Sequence, residues 1–165
     1  PVTGSELLRH HLAALALRFQ HALRDAPHDF ADLSVGHGVR TPAALVAHVA
    51  AVLTMADRLL DPDAPTGRPT PPEGPWQARV AAVHDALARL DARFADSAFA
   101  PDPVVLQRVL QGPLVDAGTH VGQLLLLRRL AGAPAEPAAY LRADVRAGVV
   151  GPDQPVPPSP DPPAG

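Results

Sequence analysis

Three side chains have the donor types and the spacing to hold a metal ion. His48 lies three residues after Leu45 and four before Val52, so on a helix it shares their apolar face and looks inward. A polar group on such a face needs a partner, and a hydrogen bond to a neighbouring helix meets that need as well as a metal does. Asp116 and His120 stand four apart, which stacks them on one helical face where they can chelate a single ion. The same spacing also serves a surface pair, or an aspartate favoured by the first turn of a helix. Taken together, one histidine from one helix and an Asp-x-x-x-His pair from another give three nitrogen and oxygen ligands and leave coordination positions open, which suits catalysis. No cysteine is present, so a metal must be held by His, Asp or Glu.

Gln123 falls on nearly the same face as His120 and is expected to line the pocket, with no catalytic residue beyond the metal ligands. Gly118 and Gly122 flank His120, and a glycine inside a helix costs roughly 1 kcal/mol against alanine. That points either to close approach by a ligand or to tight helix packing. The other histidines read as surface residues: His10, His11, His21 and His84 on polar or boundary faces, His28 and His37 in loops. Arg128 and Arg129 suit the negative pole of a helix end and read as solvated, with recognition of an anionic substrate group as the alternative.

Four helices are needed to position these residues, and the hydrophobic periodicity supplies them. Leu8, Leu12, Leu15, Phe19 and Leu23 form a stripe on a helix that starts at Ser5 and runs to about Ala26. Thr41-Pro42 offers a cap and a first-turn proline for a second helix ending near Leu60. Asp61 to Pro75 lacks periodicity and is a long connection. Trp76, Val80, Val83, Leu87, Leu90 and Phe94 then mark a third helix by alternating steps of four and three. Val104 to Gln111 is a short helical piece expected to break at Gly112-Pro113, and a fourth helix spans Pro113 to about Ala131. Residues 135–150 read as partly ordered, with a turn of helix near Tyr140, and from Gly151 a proline-rich C-terminal tail is expected to be extended or disordered.

Composition bounds the rest. The chain has 165 residues, 47% hydrophobic but only 4% aromatic, which favours an all-α domain with a core of Leu and Val. A net charge of −3 with mixed signs offers no basic face for nucleic acid. No membrane span or signal sequence is read, which places the protein as soluble and cytoplasmic.

The segment QRVLQGPLVDAGTHVGQLLLLRRLAG, from Gln107 to Gly132, resembles the last bundle helix of the DinB-like superfamily of metal-dependent proteins, which includes the YfiT-like thiol transferases. TPAALVAHVA, with His48, resembles that superfamily's other metal-bearing helix, and the segment from Ala139 resembles the ending of bacterial members. The resemblance implies an antiparallel four-helix bundle over residues 1–150, with a long crossover between helices 2 and 3, followed by the tail at 151–165. It also implies a divalent metal, zinc or nickel, on three side chains. His48 and His120 match two family histidines, and Asp116 stands where the third ligand is commonly His. A carboxylate there shifts preference towards harder metals.

Three readings of function follow. The first is an enzyme acting on a small molecule, either a metal-dependent S-transferase using a low-molecular-weight thiol or a hydrolase using activated water. Spacing alone places no general base for hydrolysis, which tilts the balance towards thiol transfer. The second is a non-catalytic, stress-associated module that binds a metal, a ligand or a partner helix. The third is a structural bundle whose histidines pack. The resemblance implies a homodimer.

Overall fold

The computed structural model describes residues 2–160, and among them the protein is all-α, with no strand. Helix α1 spans Gly4–Leu23, α2 Pro42–Leu59, α3 Trp76–Ala95, α4 Pro103–Val109 and α5 Val115–Leu130. A π-helical turn, Leu110–Leu114, joins α4 to α5, and single 3₁₀ turns lie at Phe30–Asp32 and Tyr140–Arg142.

Local chemistry explains the helix ends. α1 begins at Thr3 rather than Ser5, because Thr3 and Glu6 form a capping box: the Glu6 amide donates to Thr3 Oγ1 at 3.2 Å and the Thr3 amide to Glu6 Oε2 at 2.7 Å. In α2 the Ala44 amide donates to the Thr41 hydroxyl at 3.3 Å, while Pro42 occupies the first turn, where its missing N–H costs nothing. The break expected at Gly112-Pro113 does not occur; the chain stays helical from 103 to 130. A proline in an α-helix clashes with the carbonyl four residues earlier, and the wider π turn, in which the Val115 amide reaches back to Leu110, relieves that clash.

The helices close a ring in which α1 packs on α3 and α5, and α2 packs on the same two. Each presents its stripe to one core: Leu12, Phe19, Leu45, Leu53, Leu87, Leu90, Leu124 and Leu127 are fully buried. Each such side chain contributes about 1.5–3 kcal/mol by leaving water. Two ion pairs tie neighbouring helices together, a bidentate Arg9–Asp91 pair from α1 to α3 at 2.9 and 3.1 Å and Arg93–Asp57 from α3 to α2 at 2.9 Å. α2 is long and apolar enough by composition to cross a membrane, yet more than half of that window is buried against the other helices.

Residues beyond α5 strap the α1–α3 face. The Val150 carbonyl accepts from His84 Nδ1 at 2.8 Å, the Gln154 carbonyl from Arg24 at 2.8 Å, and the Glu136 carbonyl lies 2.9 Å from His21 Nε2. The tail is therefore extended but docked as far as the described residues go, with Gln154 and Pro157 buried. Its remainder, 161–165, lies outside the described residues.

Candidate metal centre

The adjacency of α2 and α5 brings the two halves of the site together. On α5, Ala117, Val121 and Leu124 are buried, and this fixes the rotation of the helix so that Asp116 and His120 flank the α2 contact. On α2, Leu45, Val49 and Leu53 do the same for His48. The π turn ends at Leu114, two positions before Asp116.

Ligand atoms of His48, Asp116 and His120 all lie within 4.8 Å of one another. His120 Nε2 stands 3.3 Å from Asp116 Oδ1, and the His48 and His120 rings meet edge to face at 4.7 Å. Two donors on one tetrahedral ion are about 3.4 Å apart, given bonds of roughly 2.0–2.1 Å, so the 3.3 Å pair already has that separation. His120 is buried, His48 is half-buried and Asp116 is exposed, which leaves one side of the group open to a ligand.

The hydrogen bonds on the histidines bear on what the group holds. His120 Nδ1 donates to Gln123 Oε1 at 3.0 Å, which turns Nε2 towards the Asp116 carboxylate. Two acceptors at 3.3 Å repel unless a proton or a cation lies between them. His48 makes no hydrogen bond among the described residues, and its neighbour is the ring of His120. The hydrogen-bonded histidine that an inward position on α2 could have been is thus not what the fold provides. Burial, then the positive charges of Arg40 and His120, push the His48 pKa below the ordinary imidazole value, with Asp116 opposing. The neutral form so favoured is the one that ligates a metal. On these grounds His48, Asp116 and His120 form a group that could hold a metal ion.

Gln123 does not line the pocket as its helical position suggests. It stands beside His120 and fixes that ring's orientation, as outer-shell partners of metal-ligating histidines do. The group forms part of the wall of an open cleft of about 950 Å³, with Val52, Met55, Pro69 and Val115 as its apolar lining and the guanidinium residues Arg40 and Arg68 beside it. That volume falls within the range of roughly 300–1,000 Å³ usual for small-molecule sites. No family model, curated protein or solved structure matches the chain.

Several other expectations change with the structure. His21 and His84 are buried rather than at the boundary, because the strap after α5 covers their face. His10, His28 and His37 are exposed as expected, and His11 is half-buried. Arg128 is buried, not solvated: its guanidinium donates to the carbonyls of Ala22, Arg24, Asp25 and Ala133, which joins the end of α1 to the end of α5. With four of its five N–H donors so engaged and the side chain buried, it is not placed to meet a substrate anion. Gly118 and Gly122 are exposed, and a Cβ added at either would meet nothing within 4 Å, so neither marks close packing within the chain. Arg40 and Arg68 were not singled out from sequence, since both lie in segments without periodicity.

Proposed function

We propose that the protein is a metal-dependent member of the DinB-like type, an antiparallel four-helix bundle that transforms a small molecule in the cleft between α2 and α5. The observation that carries this reading is the convergence of His48, Asp116 and His120, whose ligand atoms lie within 4.8 Å of one another beside that cleft. These three would hold a divalent ion, zinc or nickel, with Gln123 orienting His120. When bound, such an ion lowers the pKa of a coordinated thiol or water and so supplies a nucleophile near neutral pH.

The chain's own residues favour transfer of a low-molecular-weight thiol over hydrolysis. Beyond the three candidate ligands, the residues lining the cleft include no His, Asp or Glu to take a proton from attacking water. A thiol that enters as its thiolate needs no such base. The apolar wall of Val52, Met55 and Val115 would desolvate the reacting groups, and Thr119, whose hydroxyl donates to the Val115 carbonyl at 3.0 Å, keeps an oxygen beside the cleft. The same lack of a base favours one alternative, a non-catalytic module that binds a metal or ligand. The reading extends to a cytoplasmic homodimer; the outward face of α5, with exposed Leu126 and Leu130, supports the second copy.

The test is calorimetric titration of chelator-treated protein with zinc and with nickel, repeated on His48→Ala, Asp116→Ala and His120→Ala. One ion per chain, weakened at least tenfold by each substitution, is the expected result; the same affinity in all four proteins overturns the site. A screen of small thiols against electrophiles then separates the transferase from the binding module.

A further inference from the structure

Two cationic side chains at the cleft have no role in holding a metal. Arg40 lies in the loop before α2 and Arg68 in the connection between α2 and α3, and both line the same cleft as the His48–Asp116–His120 group. Neither makes a hydrogen bond or an ion pair among the described residues. Most other arginines are committed: Arg9, Arg89, Arg93 and Arg146 to carboxylates, Arg24, Arg58, Arg79, Arg128 and Arg142 to backbone carbonyls. Among the cleft residues the only opposing charge is Asp116, one carboxylate against two guanidinium groups.

Arg68 stands on held backbone. Arg58 donates to the Gly67 carbonyl at 3.5 Å, next to Arg68, and Pro69 on its other side is buried in the cleft wall. The far end of the connection is tied by Arg79, which donates to the Gly74 carbonyl at 2.8 Å and to the Ala43 carbonyl of α2 at 3.2 Å. The same wall carries apolar side chains, Val52, Met55, Pro69 and Val115, with Gln111 and Thr119 as its uncharged polar members.

We infer that the cleft takes a small amphipathic carboxylate, its acid group on Arg40 and Arg68, its apolar stem along Val52, Met55 and Val115, and its other end reaching His48, Asp116 and His120. A guanidinium presents paired N–H donors that match a carboxylate in two-point contact, and two of them without protein partners leave an anion a place that no side chain of this chain fills. The inference deepens the metal reading by naming its substrate class, but the acid-binding half needs no ion, so the two can fail separately.

The probe is octanoate, compared with its neutral isostere octanamide, each titrated into chelator-treated protein and followed by amide shifts in two-dimensional NMR. The expected result is that octanoate binds roughly tenfold more tightly than octanamide, the scale of a two-point charge-assisted contact, and moves amides of residues 111–119 and 40. In R40Q/R68Q the two probes should bind within twofold of each other, while zinc affinity is not weakened and the spectrum stays folded. His120→Ala should lose zinc and keep the preference for octanoate. Equal binding of the two probes to the wild type, or a preference that survives in R40Q/R68Q, overturns the inference, whatever zinc does. Loss of zinc binding in the wild type with the octanoate preference intact sinks the metal reading alone and supports the acid site.

Discussion

Replacing Gln123 by Ala separates a metal ligand's support from the fold. Gln123 is exposed and its one side-chain bond is to His120 Nδ1 at 3.0 Å, so the metal-free protein should lose no more than about 0.5 kcal/mol, as for other surface changes. The effect on a bound ion is larger. Without Oε1, the His120 ring is free to rotate and its Nδ1–H is left to solvent, and loss of such an outer-shell partner typically weakens metal binding 10- to 100-fold. Tenfold corresponds to about 1.4 kcal/mol, which at saturating zinc lowers the thermal midpoint by roughly 3–6 °C for a domain of this size. Competition against a chromogenic chelator gives the affinity, and paired melting curves with and without zinc give the shift. Gln123→Glu should restore or exceed wild-type affinity, because a carboxylate accepts the same hydrogen bond and raises the basicity of the imidazole. A Gln123→Ala protein that melts early without metal, or that binds zinc as tightly as the wild type, would refute the assigned role.

Three further predictions concern the fold that carries the site. Burial lowers the pKa values of His11, His21 and His84, so as pH falls the unfolded chain takes up their protons first, through about 6.5. Stability is then complete above that pH and declines below it towards the folded values; urea midpoints measured from pH 7.5 to 5 should fall, and a flat profile would contradict the burial. Arg128→Leu strips the hydrogen bonds from the carbonyls of Ala22, Arg24, Asp25 and Ala133 and should cost about 3 kcal/mol by denaturant unfolding. Arg128→Lys should recover only part of that, since an ammonium cannot span the same set. Ending the chain at residue 148 removes the carbonyl acceptors of His84 Nδ1 and Arg24; it should cost about 1–3 kcal/mol, read as a lower thermal midpoint, without changing zinc affinity.

What sequence could show of this site follows from where periodicity operates. On a helix, 3.6 residues per turn fix the direction of each side chain, so the steps from Leu45 to His48 to Val52 and from Asp116 to His120 were enough to bring the three ligand candidates to one interface. The stripe from Val83 through Leu87 and Leu90 to Phe94 was legible for the same reason, and all four are buried. Arg40 and Arg68 escaped because their segments have no period; Arg40 precedes α2 and Arg68 lies in the connection after it, and both line the cleft. His21 and His84 looked like boundary residues because the strap that buries them comes from more than sixty positions along the chain, at Glu136 and Val150. Pro113 signalled a break under a rule that holds for α-helices, and the π turn is the exception that lets the chain continue. Arg128 sits where a helix dipole would favour an exposed cation, yet four backbone carbonyls at the ends of two helices outweigh solvent there.

The most direct test of the account is X-ray absorption at the zinc edge on protein loaded with one equivalent of zinc. The account predicts a first shell of nitrogen and oxygen at roughly 2.0–2.2 Å with the outer scattering of two imidazoles, falling to one imidazole in His48→Ala. A shell with one imidazole or none in the wild type, or two that persist in His48→Ala, would contradict the assignment of His48, Asp116 and His120 as the ligands.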